Sequence, residues 1–383
     1  MKRLFLFLAL TCPWFLTSAQ PRPVTTGAGQ MDVLLPRLAG KRIALLVNQT
    51  SLVGKTHLAD TLKSRGVNLV KILAPEHGFR GMADAGEEIK DGIDTKTGLP
   101  VVSLYGKNKK ATPEQLADID IVVFDIQDVG VRFFTYISSM HYMMESCAES
   151  NKKLIILDRP NPNGSYVDGP VLQSELKSFV GMHPIPIVHG LTMAELAQMI
   201  NGEGWLAGGL KCDLEIVKLR NWKHADTYLL PVKPSPNLPN NHAVGLYPST
   251  CLFEGTALSL GRGTLNPFEV VGHPDLKQMK FSFTPIGIEG MAKNPPLENK
   301  VCYGMDLRKE KLQKKIMLRY ILEMYKAFGD KEKFFNNYFN TLAGNKELKE
   351  QIKKGMTEDQ IRATWRKELD EYKLMRRKYL LYQ

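Results

Sequence analysis

Between residues 41 and 158 the chain repeats one pattern, a short unbroken apolar run beside a segment with helical spacing. The apolar runs are KRIALLVN, VNLVKIL, LPVVSLYG, IDIVVFDI and LIILD. The helical segments among them are HLADTLKSRG, closed by Gly66, TPEQLADID, capped by Thr112, and YISSMHYMMESCAESN. A strand wetted on one face alternates polar and apolar residues, so unbroken runs belong to strands buried on both faces. Such strands separated by helices predict an α/β fold, a mainly parallel sheet with helices on each side.

The pattern changes further along. In TMAELAQMINGEG, Thr192 and Glu195 have capping-box spacing before a helix that ends near Gly202, and CDLEIVKL reads as another strand. LLPVKPSPNLPNNHAVGLYP is so rich in Pro and Asn that it predicts an ordered loop or linker. Beyond about residue 270, FSFTPIGIEG and KVCYGMDL read as strands. The segments KEKLQKKIMLRYILEMYKAFG and TEDQIRATWRKELDEYKLMRRKYLLY read as helices, the second started by Thr357 with Gln360. The expected organisation is a signal segment over 1–19, an α/β domain over 20–265 and a smaller α+β domain over 266–383.

The first nineteen residues stand apart. Lys2 and Arg3 precede a short apolar run and a Thr17-Ser18-Ala19 cleavage-type end, which predicts a secretory signal peptide and a periplasmic or extracellular protein. Later segments lack the roughly 20 apolar residues of a membrane span, so stable membrane insertion is not expected. Cys147, Cys212, Cys251 and Cys302 show no CxxC spacing and suggest neither a zinc site nor a redox pair. The formal charge is +11, with much of the excess late in the chain. Helical faces in solvent account for it, while an exported chain without a nucleic-acid module argues against DNA or RNA. An anionic cell-wall glycan suits both charge and compartment.

Chemistry gathers at the strand ends. VNLVKIL leads to Glu76 and His77, IDIVVFDIQD to Asp125 and Asp128, and LIILDRPNPNG to Asp158. Open parallel sheets bind ligands outside the carboxyl ends of their strands, so these acids are expected on one rim. Arg80 and Arg132 follow closely and offer bidentate contacts to an anionic group. Asn161 and Asn163 are turn residues that can also bond sugar hydroxyls, and FEGTALSLGRGT places Glu254 and Arg262 in a Gly-rich loop. SLVGKT lacks the first glycine of a phosphate-binding loop, and GxGxxG and GxSxG are missing. A metal held by Glu76, His77, Asp125 and Asp158 has suitable ligand types but no recognisable spacing.

PEHGFRG, FDIQDVGVRFFTY, LDRPNPNG, DGP, HGLTMAEL, PSPNLP and FEGTALSLGRGT together resemble the exo-β-N-acetylmuramidases of the NamZ type. The resemblance implies a Rossmann-like domain joined to a smaller C-terminal domain, with the cleft between them. It also implies release of non-reducing terminal N-acetylmuramic acid from peptidoglycan fragments, without a cofactor. Muramic acid carries a lactyl carboxylate, for which Arg132 and Arg262 are the expected partners. Glycoside hydrolysis asks for two carboxyl groups. Glu76 is the expected general acid, with His77 as its orienter or proton carrier; Asp125, Asp128, Asp158, Glu254 and the substrate's own N-acetyl group compete for the second role. Arg80, Asp128, Arg132, Tyr136, Asn161, Asn163, Glu254 and Arg262 are the expected substrate contacts. A glycan-binding module without catalysis and a metal-dependent hydrolase are the rival readings.

Overall fold

The computed structural model describes residues 23–76, 78–80 and 91–383; the segment 1–19 and His77 lie outside the described residues. Among the described residues the main sheet has seven strands: β1 Ile43–Val47, β2 Leu69–Ala74, β3 Gly92–Ile93, β4 Pro100–Ser103, β5 Ile121–Asp125, β6 Lys153–Leu157 and β7 Asp213–Val217. Their order is β7-β6-β5-β1-β2-β4-β3, parallel except for β3, which runs antiparallel to β4.

Period-two alternation explains the unbroken apolar runs. Ile43, Leu45, Val47, Val123 and Ile155 face one core layer with Leu34 of α1 (Met31–Leu38) and Leu62 of α2 (Leu58–Ser64). Ala44, Leu46, Val122, Phe124 and Ile156 face the other, with Met140 of α3 (Tyr136–Glu149) and Leu196 of α4 (Met193–Gly202). In β1 and β5 both sides leave water along the whole strand, and the only polar residue in either is Asp125 at the end of β5. The expected caps form: Thr112 with Gln115, and Thr192 with Glu195, each pair bonding reciprocally.

The proline-rich stretch stays a loop only as far as Asn240. Asn240 accepts a hydrogen bond from the Ala243 N–H at 2.8 Å and starts α5, Asn241–Thr250. That carboxamide cap is the local signal which the density of Pro and Asn obscures. A three-stranded antiparallel sheet follows, with β8 Val270–His273, β9 Phe281–Phe283 and β10 Cys302–Asp306 in the order β8-β10-β9.

The long helix expected over 309–329 shrinks to α6, Arg319–Ala327. Its first half is claimed by tertiary bonds: Ile316 donates its N–H to Asp168 at 2.7 Å, and Met317 to the Ser249 hydroxyl at 2.9 Å. Arg362 of the final helix α7, Glu358–Arg377, caps the Ile316 carbonyl. Helical propensity in a Lys-rich stretch is worth only tenths of a kcal/mol per residue and loses to such contacts. The larger core runs from Phe124 and Met140 to Tyr320, Phe339 and Trp365, so the two parts of the chain share one apolar interior.

Candidate active site

After β2 the chain turns at Pro75. Gly78 donates its N–H back to the Pro75 carbonyl at 3.1 Å and adopts φ 73°, a conformation that favours glycine. This turn lifts Glu76 off the strand end. The Tyr105 hydroxyl donates to Glu76 Oε1 at 2.9 Å and the Thr135 hydroxyl to Oε2 at 3.3 Å, while the Tyr136 hydroxyl reaches the Glu76 carbonyl at 3.4 Å. Burial, reinforced by Glu76, pushes the Tyr105 phenol well above its ordinary value, so it remains a donor.

Glu76 stands where two cavities meet. One, of about 580 Å³, is backed by Phe133, Phe134, Tyr136 and Tyr247 and bounded by Lys107 and Lys109. The other, of about 860 Å³, is lined by Leu258, Leu260 and the Met291–Pro296 segment. Glu76, Glu254, Arg262 and Tyr338 line both. Arg262 grips Glu254 through Nη2 at 2.5 Å and lies over the Phe268 ring at 5.2 Å. Burial opposes the Arg262 charge, but the Glu254 carboxylate outweighs it and holds the guanidinium above its usual value. Burial, with Cys251, Glu254 and Glu76 nearby, pushes the Tyr338 phenol up to about 12. Two carboxyl groups, a phenol and a guanidinium thus line the shared wall of the two cavities.

The other expected acids are at strand ends but do not line either cavity. Asp125 is fully buried, and Arg159 donates to its two oxygens at 2.6 and 2.9 Å. Asp158 is also fully buried, bonded by the hydroxyls of Thr192 at 2.7 Å and Tyr382 at 2.6 Å and by the Ala194 N–H at 3.1 Å. The sheet order reverses beside β1, and Arg159 with the Asn48–Ser51 turn fills that crevice: Arg159 bonds the Leu52 carbonyl and the Ser51 hydroxyl the Asp125 carbonyl. A roof of side chains, rather than ligand, therefore closes the β5–β6 part of the rim. Asp128 is buried too; Gly130 donates its N–H to Oδ2 at 2.6 Å, Oδ1 has no partner among the described residues, and burial lifts the carboxyl to about 7.

Arg132 requires the plainest correction, for it is fully enclosed and cannot meet a substrate carboxylate. It donates to the carbonyls of Pro170 at 2.9 Å, Ile185 at 2.8 Å, Leu342 at 3.2 Å and Ala343 at 2.6 Å. Gly344 (φ 72°) lies against the guanidinium, where a side chain's Cβ would fall 2.1 Å from Nη2. Asn161 and Asn163 are buried backbone braces as well, bonding the Leu191 carbonyl and the Val129 and Val244 carbonyls. Arg80 is spent on Asp94 and Asp60.

Tyr105, Thr135 and Tyr338 escaped sequence reasoning. Tyr105 follows β4, the neighbour of β2, so the strand-end rule that selected Glu76 points equally to it. Thr135 adjoins Tyr136 in the FFTY motif, whereas Tyr338 has no local signature. Among the described residues, no group of three or more His, Cys, Asp or Glu side chains is arranged to hold a metal ion, and no helix is long and apolar enough to cross a membrane.

Residues 43–242 match the model of the N-terminal part of exo-β-N-acetylmuramidase NamZ, and residues 245–382 match that of its C-terminal part. The chain is 39% identical to the peptidoglycan β-N-acetylmuramidase NamZ of Bacillus subtilis (strain 168), over 96% of this chain and 93% of that protein. Crystal structures of two DUF1343-family proteins of Bacteroides fragilis NCTC 9343 share the fold. One has 46% identity and a TM-score of 0.89, covering 94% of this chain and 99% of the other; the second has 31% identity and a TM-score of 0.82, covering 95% and 100%. A parallel sheet with an antiparallel appendage, a cleft with two carboxyl groups, and matches from residue 43 to residue 382 lead to one conclusion: this chain belongs to the NamZ exo-β-N-acetylmuramidase family.

Proposed function

We propose that the two joined cavities are the active site of an exo-acting glycoside hydrolase that removes terminal N-acetylmuramic acid from peptidoglycan fragments during cell-wall recycling. The position of Glu76 at the junction carries this reading, because a glycosidase needs its proton donor where the sugar to be released meets the leaving group. The aromatic-backed cavity takes the muramyl ring, and the cavity along Met291–Pro296 takes the leaving saccharide. Glu76 protonates the glycosidic oxygen as the C1–O bond breaks. Glu254, aligned by Arg262, supplies the second carboxyl group, facing the charge that develops at C1 and taking up a proton from the water that replaces the leaving group. Tyr105 and Thr135 fix the direction of the Glu76 carboxyl.

The substrate lies outside the cytoplasmic membrane, and the basic start and apolar run of residues 1–19 support export to meet it. The test of the site is a Glu254→Gln protein assayed with a chromogenic β-N-acetylmuramide. A fall in kcat of at least about a hundredfold is expected, within the usual range for loss of an acid–base group. Retained kcat with a rate sensitive to replacing the N-acetyl group would move the second role to the substrate.

A further inference from the structure

Resting on the glycosidase reading above, the cation that reads the muramyl lactyl group remains to be found. The two arginines that sequence reasoning favoured are occupied, Arg132 by four carbonyls and Arg262 by Glu254. The muramyl cavity nevertheless has other positive charge. The loop after β4 carries Lys107 and Lys109 along its wall, and neither has a carboxylate partner among the described residues. Their neighbour Lys110 differs, being matched by Glu145 at 3.0 Å and Glu149 at 2.7 Å.

Lys109 is also held in place. Its ammonium lies 4.3 Å from the centre of the Phe179 ring, which itself stacks on Tyr142 with the planes 14° apart. An aromatic face orients a cation without neutralising it, so the charge stays available to an anion entering the cavity. Glu76 and Glu254 mark where C1 of the sugar must lie, and the lactyl ether leaves the ring at C3, two carbons away, within reach of the loop that Tyr105 ties to Glu76. The lysines belong to a wall segment separate from Glu254 and Arg262, in the same cavity. We infer that Lys109, seconded by Lys107, binds the lactyl carboxylate and makes the enzyme select muramyl over glucosaminyl ends.

Three chromogenic substrates test this: the β-N-acetylmuramide, the same compound with its lactyl acid converted to the carboxamide, and the β-N-acetylglucosaminide. The wild-type protein should prefer the acid to the carboxamide. Lys109→Met keeps the stem and removes the charge. It should raise KM for the acid at least about tenfold, the scale of one charged hydrogen bond, with kcat little changed and little effect on the other two substrates. Lys109→Arg should restore part of the preference, and Lys107→Met combined with Lys109→Met should abolish it. Equal losses on all three substrates, or an undiminished preference for the acid in the double variant, would overturn the assignment while leaving the glycosidase reading intact. A wild-type protein that cleaves none of the three overturns both.

Discussion

Tyr382→Phe removes one oxygen atom and separates structural from catalytic duty at Asp158. In the wild type the phenol donates to Asp158 at 2.6 Å and accepts the Leu219 N–H at 3.0 Å, and its ring lies 5.3 Å from that of Trp222. Tyr382 is only 5% exposed, so water cannot replace either bond in the variant. Losing a hydrogen bond to a buried carboxyl and stranding a backbone N–H should together cost about 2–4 kcal/mol. Tyr382→Ala should cost more, because it also empties the ring's place between Leu219 and Trp222, a loss of about 3–5 kcal/mol for a large aromatic side chain. Urea titration followed by tryptophan emission measures both, with Trp222 as a neighbouring reporter. Below the unfolding range, kcat on the chromogenic muramide should stay within about twofold of wild type. A Phe variant as stable as wild type but a hundredfold slower would refute the reasoning and return Asp158 to the chemistry.

Two further perturbations follow from buried charges. Asp128 has its carboxyl lifted by burial to about 7, so from the ordinary carboxylate range up to that value the folded protein holds a proton that the unfolded chain has released. The resulting stabilisation is complete below about pH 4 and is lost as pH rises through 7. Asp128→Asn retains an acceptor for the Gly130 N–H and should flatten the fall in urea midpoint between pH 5 and pH 8; an unchanged fall would contradict this. Arg132→Met removes the donors to four carbonyls from three parts of the chain, of which that of Ile185 keeps a second donor, the Leu172 N–H, and should destabilise by several kcal/mol. Arg132→Lys should rescue little of it, since one ammonium cannot span the same carbonyls. In the folded fraction of either variant the acid-over-carboxamide preference should persist, and its disappearance would restore Arg132 as a substrate contact.

The sheet was legible because two-faced burial writes itself into the sequence as unbroken apolar runs, and the capping boxes at Thr112, Thr192 and Thr357 are local enough to read. What failed depended on distant partners. Nothing within residues 309–318 announces that Asp168, Ser249 and Arg362 will claim its backbone. The strand-end rule found Glu76, but it could not tell an open rim from one roofed by Arg159 and Tyr382, which lie 34 and 224 residues from the acids they cover. Glu254 and Arg262 were visible as a pair in a Gly-rich loop; their meeting with Glu76 depends on the packing of the C-terminal part against the sheet.

The central claim is that Glu76 delivers the proton at the scissile bond. Glu76→Gln keeps the size of the side chain and an oxygen to accept from Tyr105 or Thr135, so folding and muramide binding should be preserved. Its kcat on a natural disaccharide bearing a terminal muramyl residue, a substrate with a poor leaving group, should fall by at least about a hundredfold. The loss should be smaller on a substrate whose leaving group departs without protonation. A folded Glu76→Gln protein that releases N-acetylmuramic acid from the disaccharide at the wild-type rate would contradict the account.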